Sequence, residues 1–228
     1  MWDKAPMTQQ VARRLQDMIR SGELKAGEKL PSQRILSERL NISRPTLREA
    51  LLTLETLGLV HTLPARGTFI ADPQEAPTPA SQWRYENAFS QQEVMQLRLV
   101  VEGEICRLVA ACATPELIQN LQETADIFAD AWAQGDLVAH VQADLEFHRL
   151  IAAACPNRML HSVYQTYQTL LTETQRQPIP QTQGSRMEAS IAEHRLIVDA
   201  IRRGNGEEAE SAMRSHIRNT AAAANITL

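Results

Sequence analysis

Asp144 and His148 stand four residues apart in ADLEFHRLIAAA, residues 143–154, a stretch whose remaining residues follow the apolar spacing of a helix. Residues at i and i+4 share one helix face, so an acid and an imidazole here fall beside Val141 and Ile151, on the side that should be buried. A polar group buried without partners costs several kcal/mol. The anomaly recurs twice. His194 lies on the stripe Met187, Ile191, Val198 and Ile201, and His216 shares a face with Ala209, Met213 and Thr220. One such histidine is ordinarily a hydrogen-bonded core residue. Three of them with a carboxylate point to a shared divalent cation, because neutral imidazoles and a carboxylate satisfy one another through a metal. The expected ligands are Asp144, His148, His194 and His216, and the expected metal is zinc, with nickel and manganese as alternatives. His140, one turn before Asp144, is read as a supporting or surface residue, and His61 and His161 have no partner pattern.

The elements that must hold these residues are helices. After residue 90 the chain shows helical periodicity from QEVMQLRLVVEGEICRLVAACAT to its last twenty residues, in six segments joined by short turns, with Thr114, Pro115 and Glu116 as a start signal for the second. This predicts an antiparallel helical bundle. In the first segment Val94, Leu97, Val101, Ile105, Leu108 and Cys112 form the expected stripe. Arg98 and Glu102 stand beside it at i, i+4, a spacing that by itself suggests a surface ion pair of about 0.3–0.5 kcal/mol.

The first seventy residues have a different plan. TQQVARRLQDMIRSGEL predicts a helix with Val11, Leu15, Met18 and Ile19 inward and Thr8 as its N-cap, and a second, short helix starts after Pro31 and Ser32. After the turn NIS, RPTLREALLTLETLG gives a third, with Leu47, Ala50, Leu51, Leu54 and Leu57 as its buried stripe, and LVHTLPARGTFI reads as two short strands around a turn. That is a winged helix-turn-helix, whose third helix leaves Arg44, Thr46 and Arg48 exposed on its N-terminal turns, where base edges and phosphates are met. Arg34 on the second helix can join them, and Arg66 and Gly67 at the hairpin tip can reach the neighbouring minor groove.

Composition agrees with a mainly α chain of two parts. Aromatic residues make up only 4% of the 228, which favours helix packing over sheets. The net charge of −4 divides unevenly: residues 1–70 hold 11 Lys and Arg against 7 Asp and Glu, and residues 71–228 hold 12 against 20. A basic head on an acidic body suits a polyanion partner for the head alone. Residues 71–90, with three prolines and no apolar period, read as a linker, giving domains at 1–70 and 91–228. No apolar run approaches a membrane span, no signal-peptide core is apparent, and Cys106, Cys112 and Cys155 lack metal spacing, so a cytoplasmic protein with reduced thiols is expected.

LPSQRILSERLNISRPTLREALLTLETLGLVHTLPARGTFI resembles the DNA-binding domain of the GntR superfamily of bacterial regulators, over almost all of residues 8–70. The resemblance implies operator contacts by Arg34, Arg44 and Arg48 and approach of the hairpin-tip glycine to the minor groove. ADLEFHRL together with EHRLIVDAIRRGNGEEAESAMRSHI resembles the effector-binding FCD domain of the FadR subfamily, over roughly residues 91–225. In metal-containing members the ligands match Asp144, His148, His194 and His216, and the arginine matching Arg98 points into the same cavity to bind an anionic effector. These features imply a regulator, and a repressor by family habit, that binds a palindromic double-stranded DNA operator as a homodimer and senses a small carboxylate. A metal-ion sensor is the alternative; a metal-dependent hydrolase is disfavoured, because no general base stands at a telling spacing and the helix-turn-helix would be left unexplained.

Overall fold

A computed structural model of the chain describes residues 6–63, 65–72, 83, 85–176 and 184–228. Backbone contacts divide the chain into two units, Met1–Gln82 with Asp136–Val138, and Trp83–Gly135 with Ala139–Leu228.

In the first unit α1 (Met7–Arg20), α2 (Gln33–Leu40) and α3 (Arg44–Thr56) precede β1 (Val60–Leu63) and β2 (Gly67–Ile70). The expected Thr8 cap is not used: α1 starts two residues earlier, after Pro6, without a side-chain cap. The caps of the other two helices are local chemistry. Ser32 accepts from the amide of Ile35, and Ser43 accepts from that of Thr46, each filling one of the amides that a helix start leaves without a partner. Between them Asn41 turns the chain in the left-handed region, at φ 53°, which Asn tolerates. Val11, Leu15, Leu36, Leu47, Leu51, Leu54, Val60 and Ile70 are buried as the core of this unit. The strands pair antiparallel, from Val60 opposite Ile70 to Leu63 opposite Gly67, and Lys29 bridges to Phe69 on the other edge of β2.

The second unit holds α4 (Gln91–Ala110), α5 (Pro115–Ala133), α6 (Leu137–Ala153) from Ala139 onward, α7 (Arg158–Arg176), α8 (Gly184–Arg202) and α9 (Gly206–Ala223). The fold is therefore mainly α: a winged helix-turn-helix followed by a helical bundle. A capping box opens α4, in which Ser90 accepts from the Glu93 amide and Glu93 accepts from that of Ser90. Thr114 caps α5, and Asn205 caps α9. α4 packs on α7, α8 and α9. Enclosed on several sides, it buries Met95, Arg98, Glu102 and Cys106 as well as the expected Val94, Val101 and Ile105. Cys112 lies past its end and is exposed. Gly206 allows α9 to start against α4, since a Cβ there would lie 2.8 Å from the backbone oxygen of Arg107. Of the segment read as a linker, residues 73–82 and 84 lie outside the described residues. Trp83 packs into the bundle core, edge-on to Tyr85, and its indole N–H donates to the Phe89 carbonyl.

Candidate metal centre and nucleic-acid interface

Three helices bring the predicted ligands together. Asp144 and His148 come from α6, His194 from α8 and His216 from α9, and their ligand atoms all lie within 4.8 Å of one another. Oδ1 of Asp144 is 3.2 Å from Nε2 of His194 and 3.9 Å from Nε2 of His148. His148, His194 and His216 are buried, while the Asp144 side chain keeps 13% of its surface exposed.

Two carboxylates that sequence reasoning did not assign to the centre set its chemistry. Nδ1 of His148 lies 2.6 Å from Oε2 of Glu102, and Nδ1 of His216 lies 2.9 Å from Oε2 of Glu193. An ionised carboxylate only accepts, so each Nδ1 carries the proton and each Nε2 keeps a free lone pair. Nε2 of His148 has no hydrogen-bond partner, and neither ring nitrogen of His194 has one, although both residues are buried. The His194 ring is stacked on Phe147 at 4.4 Å and tilted on Phe128 at 4.5 Å, so neighbouring rings fix its plane. Buried, unpartnered imidazole nitrogens facing a carboxylate are a costly arrangement for an empty core. They fit a divalent cation, for which imidazole and carboxylate are suitable donors.

The electrostatics keep these groups in the form that ligates. Burial pushes the Asp144 carboxyl up, but contact with His194, with the other imidazoles close by, outweighs it and holds the pKa well below the usual range. Burial lowers His216 to about 4 against the opposing pull of Glu193, and it lowers His194 as well. Glu102 would be raised by burial, yet Arg98 and His148 bring it down to about 2. Glu193, likewise opposed by burial, is held at about 2 by His216, Arg186 and Asn219.

Arg98 is not at the surface, as its i, i+4 spacing with Glu102 suggested. It is fully buried, its Nε donates to Glu102 Oε1 at 2.6 Å, and its Nη2 has no partner. The residue lines a small cavity together with His140, Asp144, Gln175, Arg186 and His216. His140 is also buried rather than exposed. Its Nδ1 bonds to the Phe128 carbonyl and not to a predicted ligand, and its ring lies 5.6 Å from that of Trp132. Glu193 could have been suspected from its place beside His194, but only the fold reveals that it reaches α9.

In the other unit Arg44 and Arg48 are exposed on the first turns of α3. Thr46 is half-buried, its hydroxyl 2.7 Å from that of Ser43. Arg34 is exposed on α2 and paired with Glu38 at 3.1 Å, a contact of the kind a phosphate can replace. Arg66 is exposed at the turn between the strands. Gly67 beside it has φ 110°, and a Cβ there would lie 2.9 Å from Cε of Lys29, so glycine is required by the hairpin itself.

A winged helix with exposed arginines on its third helix, followed by a helical domain with a buried acid and histidine cluster, defines the class of a DNA-binding regulator rather than an enzyme. Residues 7–70 match the model of bacterial regulatory proteins of the gntR family, and residues 93–219 match the FCD domain. The chain belongs to the GntR family of transcription regulators, in its FCD-containing branch. It is similar to the transcriptional regulator LutR of Bacillus subtilis (strain 168), 30% identical over 207 residues that cover 89% of this chain and 94% of that one. The transcriptional repressor NanR of Enterobacter sp. (strain 638) is 28% identical over 230 residues, 95% of this chain and 84% of that one. Among solved structures, E. coli McbR/YncC shares the fold with a TM-score of 0.54 at 19% identity, covering 96% of each chain. No described helix is long and apolar enough to cross a membrane.

Proposed function

We propose that this regulator is a metal-dependent sensor of a small carboxylate, acting as a repressor and a homodimer on a palindromic operator in the cytoplasm. DNA binding is assigned to residues 1–70, through Arg34, Arg44, Thr46, Arg48 and Arg66 with Gly67 shaping the wing, and sensing to residues 91–228, with 71–90 joining them. Asp144, His148, His194 and His216 would hold the cation, zinc in the first instance and nickel or manganese otherwise. When bound, the metal supplies a Lewis-acidic position for an effector oxygen.

The observation that carries this reading is the placement of Arg98 Nη2, a buried donor without a partner, on the same cavity as Asp144 and His216. A guanidinium beside a cation centre serves an anion that both can bind. It gives a sensor of the bare metal no advantage, and so favours the metabolite reading over the metal-sensor alternative. Effector binding needs to couple to the DNA-binding unit by only about 1–3 kcal/mol to switch operator occupancy.

Thermal melting of the full chain with a panel of carboxylic acids, before and after chelation, tests the scheme. Stabilisation by an acid only in the metal-loaded protein is the expected result. Stabilisation by zinc alone, with no acid effective, would turn the assignment to metal sensing.

A further inference from the structure

The outer edge of β2 is itself paired. Lys29 bridges to Phe69 there, the Gly27 amide donates to the Ile70 carbonyl at 3.0 Å, that of Leu30 to Thr68 at 2.8 Å, and that of Ile70 to Glu28 at 2.9 Å. Side chains alternate along a strand, so Thr68 and Ile70 turn into the core while Gly67 and Phe69 take the outer face. Phe69 shares that face with the two residues opposite it, His61 on β1 and Lys29 on the other side. His61 stacks on the Phe69 ring with centroids 5.6 Å apart, and the Lys29 ammonium lies 6.0 Å from the centre of the same ring.

The lysine does not stand straight out from this face. Gly67 is its diagonal neighbour, two residues along β2 towards the hairpin tip, and a Cβ there would lie 2.9 Å from Lys29 Cε and 3.7 Å from Nζ. The side chain therefore leans across the glycine towards the tip, where Arg66 is exposed. Two acids bonded to this sheet are engaged by backbone amides, Glu28 by Lys25 at 3.0 Å and Glu55 by Thr62 at 2.7 Å. Among the described residues no carboxylate pairs with Lys29. Laying a lysine down costs rotamer freedom, and gathering two cations at one end of a hairpin adds repulsion. An anion bound at the tip turns that repulsion into attraction.

We propose that Lys29, which precedes the helix-turn-helix in the chain, binds a DNA backbone phosphate beside the hairpin tip and so positions the wing. An ammonium on a phosphate adds affinity on any sequence and fixes the register of the protein, but reads no base. The inference rests on the reading of the hairpin tip as a DNA-facing wing. It also gives Gly67 a second duty, since the missing Cβ is what lets the lysine reach the tip.

A phosphate contact acts on any sequence, so the probe is a fluorescently labelled DNA duplex of arbitrary sequence, titrated with the full-length protein by anisotropy over a series of salt concentrations. Each phosphate neutralised contributes a slope of about −0.9 to the logarithm of affinity against that of salt. Lys29→Met keeps the apolar stem on Gly67 and Phe69 but not the charge, and should make the slope shallower by about 0.9 per bound protomer. Lys29→Arg should keep the wild-type slope, and both variants should melt as wild type does. A wild-type slope in Lys29→Met overturns the proposal. So does an equal loss in Lys29→Arg, or a loss that follows a lowered melting temperature, since either makes Lys29 a packing residue of the hairpin. Arg66→Ala separates this contact from the wing itself. If Arg66→Ala makes the slope shallower and Lys29→Met does not, the Lys29 assignment alone fails; if neither does, the wing does not meet DNA and both readings fail.

Discussion

Nδ1 of His148 and Oε2 of Glu102 lie 2.6 Å apart, and the other oxygen of the same carboxylate lies 2.6 Å from Nε of Arg98. One α4 side chain therefore orients an imidazole of the candidate metal centre and neutralises the guanidinium of the cavity. Glu193 does similar work on the opposite side, joining His216 to Arg186.

Glu102→Gln should accordingly damage two properties at once. The substitution keeps the shape but leaves buried Arg98 without its counter-charge, a change expected to destabilise the bundle by about 3–5 kcal/mol. Metal affinity should fall by about tenfold to a hundredfold as His148 loses its orienting carboxylate. Chemical denaturation of the metal-free protein reads the first effect and competition with a chromogenic chelator reads the second. A variant as stable as wild type would show that the Arg98–Glu102 pair contributes no net stability.

Acid should destabilise the metal-free protein in two overlapping windows. His216 is held at about 4 by burial against an ordinary 6.5, so between those values the unfolded chain binds a proton that the folded one refuses, and stability drops as pH falls from 6.5 to about 4. Glu102 and Glu193 are held at about 2 against 4.5, so their contribution is complete above 4.5 and is lost as pH falls towards 2. Urea midpoints measured from pH 7 to pH 3 should decline throughout; a flat profile between 6.5 and 4 would contradict the neutral, buried His216.

His194→Ala should lower metal content and abolish the response to acids while leaving DNA binding by the unliganded protein intact. Elemental analysis with gel-shift titration measures both. Full occupancy in this variant would remove His194 from the ligand set.

Arg48→Ala should weaken specific operator binding by about 1–3 kcal/mol and leave the melting transition of the bundle unchanged. Retention of wild-type specificity would mean that α3 does not read the operator through this residue.

Gly67→Ala should weaken operator binding without removing any side-chain contact. At φ 110° an alanine is strained, and its Cβ would press on Lys29, at a cost of about 1–3 kcal/mol to the hairpin. Pairing it with Lys29→Ala relieves the clash but not the backbone strain, so partial recovery of stability is expected in the double variant.

The ligand quartet was legible because each member interrupts an apolar stripe, and period alone places Asp144, His148, His194 and His216 on inward faces. The caps at Ser32, Thr114 and the start of α3 were legible for a similar reason, being written within a few residues. Spacing alone did not place Arg98 and Glu102, because i, i+4 spacing is the same on a wet face as on a dry one; only the family resemblance put Arg98 in the cavity. Only the packing of α7, α8 and α9 around α4 shows that this face is enclosed. His140 escaped for the opposite reason: it sits on the face of Asp144, but its bond goes to a carbonyl of α5, a partner that no local pattern reveals. Glu193 reaches a neighbouring helix, and its role depends on how closely α8 and α9 approach.

The edge of Trp132 beside the His140 ring gives the cavity an optical reporter. Indole emission responds to a nearby imidazole and to the polarity around it, and Trp132 is on the helix whose Phe128 carbonyl holds that imidazole in place. Occupancy of the chamber can therefore be followed in the unlabelled protein by its ultraviolet fluorescence, with Trp132→Phe as the silent control.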